Sequence, residues 1–308
     1  MDYKFFTCDV FTDKLHGGNP LAVLPDARGL SDDQMAAITR EFNYSETTFV
    51  FPPADPKNTR RVRIFTPGKE LQFAGHPTVG TSHVLAAAGL IPITGDETRI
   101  VLEEGVGPVP VLIRSKDGVP YFAQLTAAKL PEVGDPPPSK KALADILSLE
   151  PSDMVADDLM EPEAVSCGTP FLFIPVRTPD VLRRIKVDNK KWEETLASYW
   201  ASEMFVFSAD KWPGIFEGGH IRARMFAPGV GIAEDPATGS ACAALAGFLG
   251  FRSEQRAGTL KWSVDQGVEM GRPSRLELEV DLAGGQVKAI RVGGSTVLVS
   301  TGVLHIPD

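Results

Sequence analysis

Only three cysteines occur in 308 residues: Cys8, Cys167 and Cys242, far apart and with no Cys-x-x-Cys pair. So scattered and odd-numbered a set argues against a disulfide framework and a structural zinc, and it fits a reducing cytoplasm. Histidine is scarce, with five residues and no His-x-x-x-His or His/Cys cluster at metal spacing, so no metal is expected. No uncharged apolar run reaches the ~20 residues of a membrane span. The opening Met1-Asp2-Tyr3-Lys4 lacks the basic-then-apolar pattern of an export signal. Positive charge is in deficit: 31 Lys and Arg against 40 Asp and Glu leave −9, with no basic cluster. That balance argues against a nucleic-acid partner. No Gly-x-Gly-x-x-Gly follows a strand and opens a helix, and there is no Walker-type loop, so a nucleotide fold is not expected.

What the chain does have is one arrangement written twice. Arg63-Ile64-Phe65-Thr66-Pro67-Gly68 resembles Arg224-Met225-Phe226-Ala227-Pro228-Gly229, at an offset of 224 − 63 = 161. His76-Pro77-Thr78-Val79-Gly80-Thr81 resembles Asp235-Pro236-Ala237-Thr238-Gly239-Ser240, at 235 − 76 = 159. Upstream, Gly18-Asn19-Pro20-Leu21 echoes Gly168-Thr169-Pro170-Phe171, and Ser45-Glu46-Thr47 echoes Ser202-Glu203-Met204. Ordered echoes of this kind predict one module used twice. The length suits two domains, each able to bury a core. Pro131–Lys141, rich in proline, is the linker candidate. We therefore place the first domain at 1–128 and the second at 129–296. The last strand, 297–308, is open to joining the first half. Two related halves usually pack about a pseudo-twofold axis, which would turn both helix starts toward one cleft.

Strand patterns dominate. Each half contains one helix without formal charge, His76–Leu90 and Pro236–Gly250. A helix apolar on all sides is normally buried on all sides, which places each inside a curled sheet. The expected class is α+β rather than alternating βαβ.

Asp235-Pro236 suits an N-cap and first helical residue. The small residues that follow leave backbone N–H groups uncovered at a positive helix end, a place for a carboxylate or phosphate. Asp235 read alone is a cap. Its echo, however, is His76, and two different titratable groups at equivalent starts point to a cleft role. A histidine at a helix N-terminus is disfavoured as a cation and stays neutral near pH 7, able to donate or accept a proton. His83, one turn-pair further on among Ala and Leu, reads as a core histidine. Glu46 stands in a strand of Thr, Phe and Val, where Glu is disfavoured. Such a residue usually faces solvent; in an apolar cleft it becomes a general acid or base. Asn19 and Ser240 are either structural or hydrogen-bond a substrate carboxylate.

Taken together, Asp9-Val10-Phe11-Thr12, Gly18-Asn19-Pro20-Leu21-Ala22-Val23, Ser45-Glu46-Thr47, Phe73-Ala74-Gly75-His76-Pro77-Thr78-Val79-Gly80-Thr81 and Glu234-Asp235-Pro236-Ala237-Thr238-Gly239-Ser240-Ala241 resemble the PhzF family of phenazine-biosynthesis isomerases. That family has the diaminopimelate epimerase-like fold. The resemblance covers nearly the whole chain. It implies two similar domains, each a rolled, mostly antiparallel sheet around a central helix, with the active site between them. It also implies a homodimer, no cofactor, and a small carboxylate substrate. The family's acid/base glutamate falls on Glu46, and its accompanying polar residues fall on His76, Asp235 and Ser240. Backbone contacts come from the Gly75 and Gly239 regions. Related epimerases use two cysteines at the helix starts; those positions here are Ala74 and Pro236, which carry no proton. His16 stands where the family often has an aromatic residue. The expected function is a cofactor-free isomerase. The rivals are an epimerase without catalytic cysteines and a non-catalytic small-molecule binder.

Overall fold

The structure, a computed structural model, describes residues 1–156, 160–212 and 214–306. The chain divides into two compact units. One is Met1–Ala128 together with the chain from Val292 on, and the other is Lys129–Arg291. It is a mixed α and β protein, mostly strands with few helices.

In the first unit, β1 (Asp2–Val10) pairs antiparallel with both β2 (Asn19–Leu24) and the C-terminal β18 (Thr296–His305). β2 runs parallel to β3 (Glu46–Phe51), with Leu21 opposite Glu46. β3 then pairs antiparallel with β4 (Arg60–Phe65), and β4 with the short β5 (Glu70–Leu71). β4 also runs parallel to β6 (Glu97–Glu104), with Arg61 opposite Glu103. β7 (Gly107–Lys116) and β8 (Val119–Thr126) continue as antiparallel neighbours.

Two helices cover the two faces of this sheet. The first, α1 (Asp32–Phe42), has a capping box between Ser31 and Gln34, and packs Met35 and Ile38 against Tyr3, Leu24, Phe49 and Phe65. The second, α2 (Gly75–Ala87), buries every residue but its last. It touches β1, β2, β3, β7, β8 and β18, so the strands curl around it. This is why its sequence has no polar face. Gly80 permits the approach: a Cβ there would lie 2.6 Å from Val10 Cγ2 and 2.7 Å from Leu21 Cδ2.

The second unit repeats this order of pairings. β9 (Glu132–Val133), β10 (Glu163–Ser166) and β11 (Pro170–Pro175) are antiparallel neighbours, and β11 runs parallel to β12 (Met204–Ala209). β12 pairs antiparallel with β13 (Gly219–Ala227), and β13 with β14 (Ile232–Asp235). β13 runs parallel to β15 (Ala257–Gln266), which pairs antiparallel with β16 (Ser274–Ala283). β17 (Gln286–Gly294) spans the boundary between the units.

Here α3 (Lys140–Leu147), α4 (Pro179–Arg184) and α5 (Asn189–Leu196) cover one sheet face through Leu143, Leu147, Leu182, Trp192 and Leu196. α6 (Gly239–Gly250) fills the other, with Phe248 against Phe173 and Phe207. Covered on both faces, β11 and β12 read as unbroken hydrophobic runs rather than as alternating ones.

Candidate active site

The structure places Glu46, His76, Asn19 and Gly75 at one end of the first unit. Glu46 opens β3, and Asn19 opens β2 directly alongside. The start of α2 reaches the same end, because His76 bonds the backbone carbonyl of Pro20. A hydrogen bond of 2.8 Å between Thr48 and Thr81 ties β3 to the same helix. Asn19 is fully buried and Glu46 is 13% exposed at its side chain, so Glu46 does not face open solvent. The His76 ring donates to Pro20, and its other nitrogen, Nε2, lies 3.3 Å from Glu46 Oε2. Burial pulls the His76 imidazole down to about 3. The ring is therefore neutral near pH 7, and the approach to Glu46 is not an ion pair. A neutral imidazole with one N–H engaged presents a lone pair at the other nitrogen. His76 and Glu46 can hold one proton between them.

His76 is the second residue of α2, and the N-cap is Ala74, which makes no side-chain cap. In the second unit Asp235 is the last residue of β14, and the helix begins four residues later at Gly239. The cap expected at Asp235 is thus displaced to Thr238. The residues between are held by side chains that no local pattern marks. The Thr238 N–H donates to Gln266 Oε1, and Gln266 Nε2 donates to the Asp235 carbonyl. Ser274 donates to the Pro236 carbonyl at 2.8 Å. Gly267 packs against this segment at φ +74°, where a Cβ would come within 2.6 Å of the Pro236 oxygen. Asp235 is 8% exposed, and Gly239 and Ser240 form the first turn of α6.

His83 is buried, and burial draws it down to about 4, in keeping with a core histidine. The three thiols offer no base. Burial raises Cys8 and Cys242 strongly and pushes Cys167 up to about 12. Among the described residues no group of three or more His, Cys, Asp or Glu is placed to hold a metal ion, and no helix is long and apolar enough to cross a membrane.

Glu104 went unnoticed in the sequence. It ends β6, is buried, and meets the Thr78 hydroxyl at 2.6 Å. Burial pushes its carboxyl up to about 8, against the pull of Thr78. Buried groups shifted in opposite directions give stability a divided pH dependence. Below pH 6.5 the unfolded chain takes protons that the folded His76 and His83 refuse, so their contribution is full above that pH and lost beneath it. Glu104 acts the other way. Its contribution is full below pH 4.5 and is lost as pH rises toward 8, where the unfolded carboxyl ionises and the folded one resists. Glu104→Gln is expected to match the wild type near pH 4.5 and to exceed it by roughly 4 kcal/mol at pH 8. Urea midpoints at the two pH values check this. The same difference at both would mean that the folded carboxyl ionises as in water.

Residues 8–302 match the family described as phenazine biosynthesis-like protein, and the chain belongs to that family. It is 40% identical to an uncharacterized isomerase of Mesorhizobium japonicum, over 98% of this chain and 99% of that one. It is 31% identical to the trans-2,3-dihydro-3-hydroxyanthranilate isomerase of Pseudomonas aeruginosa, over 99% of this chain and all of that one. Among solved structures, a PhzF-family phenazine biosynthesis protein of Bacillus anthracis superposes with a TM-score of 0.85 at 27% identity, covering 99% of this chain and 100% of that chain.

Proposed function

We propose that this chain is an isomerase that moves a carbon-bound proton within a small carboxylate, with Glu46 as the base and then the acid. One observation carries the reading: a shielded carboxyl group lies 3.3 Å from a neutral imidazole, beside the start of an uncharged buried helix. The isomerase names of the relatives support the class.

The proton balance is closed. Glu46 breaks a C–H bond and gains an O–H, and the electron pair enters the conjugated system of the substrate. Glu46 then returns the proton to a different carbon, which restores its carboxylate and moves the double bond. The His76 lone pair accepts a hydrogen bond from Glu46 while Glu46 holds the proton. That stabilises the intermediate state without putting a cation in a buried place. Asn19 and the Gly75 region hold the substrate on this side. For the second unit the proposal is that Asp235 takes part in the reaction, and that Gly239 and Ser240 bind a substrate anion at the amide-rich start of α6. The proposal includes a cofactor-free reaction, a homodimer, a cytoplasmic setting and an internally repeated module.

The first substrate to test is trans-2,3-dihydro-3-hydroxyanthranilate, or a related cyclic amino-carboxylate. The reaction is run in D2O and followed by NMR. Movement of the double bond is expected, with deuterium at the newly protonated carbon in proportion to how often the Glu46 O–H exchanges with solvent before the proton is returned. Deuterium at an unmoved stereocentre would instead indicate epimerisation, and binding without exchange would indicate a silent binder.

A further inference from the structure

We propose that Glu104 is a positioning residue that works as a neutral acid: it donates its proton to the Thr78 hydroxyl and so fixes the start of α2, the turn that carries Gly75 and His76. The inference rests on the reading that Gly75 and His76 serve the reaction.

Two short contacts compete for the Thr78 proton. Thr78 Oγ1 lies 2.8 Å from the Ala74 carbonyl oxygen and 2.6 Å from Glu104 Oε1. Both contacts are of hydrogen-bond length, and a hydroxyl has one proton. The carbonyl has none to give, so the second proton must come from the carboxyl. A protonated Glu104 donates to Thr78, and Thr78 donates to Ala74. An ionised Glu104 would claim the Thr78 proton and leave Oγ1 and the Ala74 oxygen facing each other without one. Ala74 is the N-cap of α2 and makes no side-chain cap. Its carbonyl, which also accepts the Thr78 N–H at 3.2 Å, is where the first turn is held. The residues after Glu104 hold the approach to the same turn. The Val106 N–H donates to the Gln72 carbonyl at 2.9 Å, and a Cβ at Gly105 would lie 2.4 Å from Gln72 Oε1. Residues 104–106 thus pin the chain on both sides of Gly75 and His76.

The second unit makes the same contact with a group that never ionises. β6 ends at Glu104 as β15 ends at Gln266. Arg61 lies opposite Glu103 and Ala223 opposite Gln266 in the corresponding parallel pairs. Val62, one step past Arg61, stands 223 − 62 = 161 residues before Ala223, the offset that relates Arg63 to Arg224. Glu104 and Gln266 therefore hold equivalent positions. Gln266 Nε2 donates to Oγ1 of Thr238, the N-cap of α6, at 2.9 Å. Where one copy uses an amide N–H, the other uses a carboxyl O–H. Among the described residues, no charge on the surrounding elements acts on Glu104: burial opposes its ionisation and the Thr78 hydroxyl favours it. On β6 itself, Glu103 accepts from the Ala54 and Asp55 N–H groups, Arg99 is exposed, and Glu97 meets Arg114 of β7. Lys116 of β7 is exposed. On β4, Arg60 donates to the Thr59 and Leu90 carbonyls, Arg61 lies over the Phe51 ring, and Arg63 grips Glu70 of β5. On α2, His76 and His83 are kept neutral by burial.

The test uses the full chain. Glu104→Gln keeps a donor that cannot ionise, and Glu104→Leu has none. The backbone amide signals of Gly75, His76 and Thr78 are followed by NMR from about pH 6 to about pH 9.5, without substrate. In the wild type they should shift together with a midpoint near about 8, where the buried carboxyl ionises, and Glu104→Gln should show no such step. Turnover of trans-2,3-dihydro-3-hydroxyanthranilate is read over the same range. Wild-type kcat should fall about tenfold between about pH 7 and about pH 9.5 as the helix start loses its hold. Glu104→Gln should match the wild-type kcat at about pH 7 and escape that fall, and Glu104→Leu should be low at both ends. An alkaline fall of the same size in Glu104→Gln belongs to another group and overturns the proposal. So do wild-type amide signals that pass through pH 8 unmoved. The amide titration needs no substrate, so it decides the hold on the helix start even where a fully active Glu46→Gln has removed the reading of the site.

Discussion

Glu46→Gln should lower kcat by about 10²–10⁴-fold while KM stays near wild type. The substitution changes little but chemistry. Gln has the same shape, and its amide can still donate to His76 Nε2, which lies 3.3 Å from Glu46 Oε2. The side-chain exposure of 13% and the pairing of residue 46 with Leu21 should be unaltered. What is lost is the ability to take a proton from carbon. If only positioning mattered, Gln would serve as well as Glu, and kcat would hold. Steady-state rates and the NMR exchange assay in D2O check both parts. Turnover within a few-fold of wild type, with deuterium still incorporated, would remove Glu46 from the reaction. A collapse of both kcat and thermal stability would show that the carboxylate is structural.

How legible was this arrangement beforehand? The two uncharged helices announced themselves, because a helix with no polar face has only one place to go. α2 and α6 are buried along nearly their whole length. The strands of β3, β4, β12 and β13 were legible from β-branched and aromatic runs. Which strands they would lie parallel to was not, since a parallel pair such as β13 with β15 joins residues about forty apart with no local mark. Helices α4 and α5 escaped for a related reason. They are six and eight residues long and carry their apolar residues too sparsely for a period to show.

Within the candidate site, the residues that were readable are those that break a local rule. Glu46 stands in a strand that disfavours it, and His76 and Asp235 occupy echoed positions with unlike side chains. The cap was misplaced by three residues because Asp-Pro satisfies the capping pattern locally, whereas Gln266 and Ser274 hold the backbone in a short strand there instead. Tertiary hydrogen bonds outweighed a local preference worth ~1 kcal/mol. Gln266 and Glu104 could not have been picked from the chain, for a buried polar residue at a strand end looks like any other until its partner is known.

Two arginine–glutamate grips, one in each unit, supply a second large effect, and they differ in burial and in their further partners. Arg224 grips Glu234 with Nε and a terminal nitrogen at 2.8 and 2.7 Å. Arg63 grips Glu70 the same way, at 2.7 and 2.7 Å. The side chains of Arg224 and Glu234 are 10% and 15% exposed, against 25% and 35% for Arg63 and Glu70. Arg224 also donates to the carbonyls of Leu182 and Ile185 at the end of α4, while Arg63 reaches Asp32, which is 77% exposed. Removing Arg224 strands a shielded carboxylate and leaves two helix-end carbonyls without that donor. Arg224→Leu should cost about 3–5 kcal/mol. Removing Arg63 leaves carboxylates that water can solvate, so Arg63→Leu should cost about 1 kcal/mol or less. Urea unfolding of both variants at one pH checks the difference. A double variant, Arg224→Leu with Glu234→Leu, should recover much of the loss, because the penalty lies in the stranded charge more than in the missing attraction. Equal losses for the two single variants would mean that the geometry of the grip, and not its shielding from water, sets its worth.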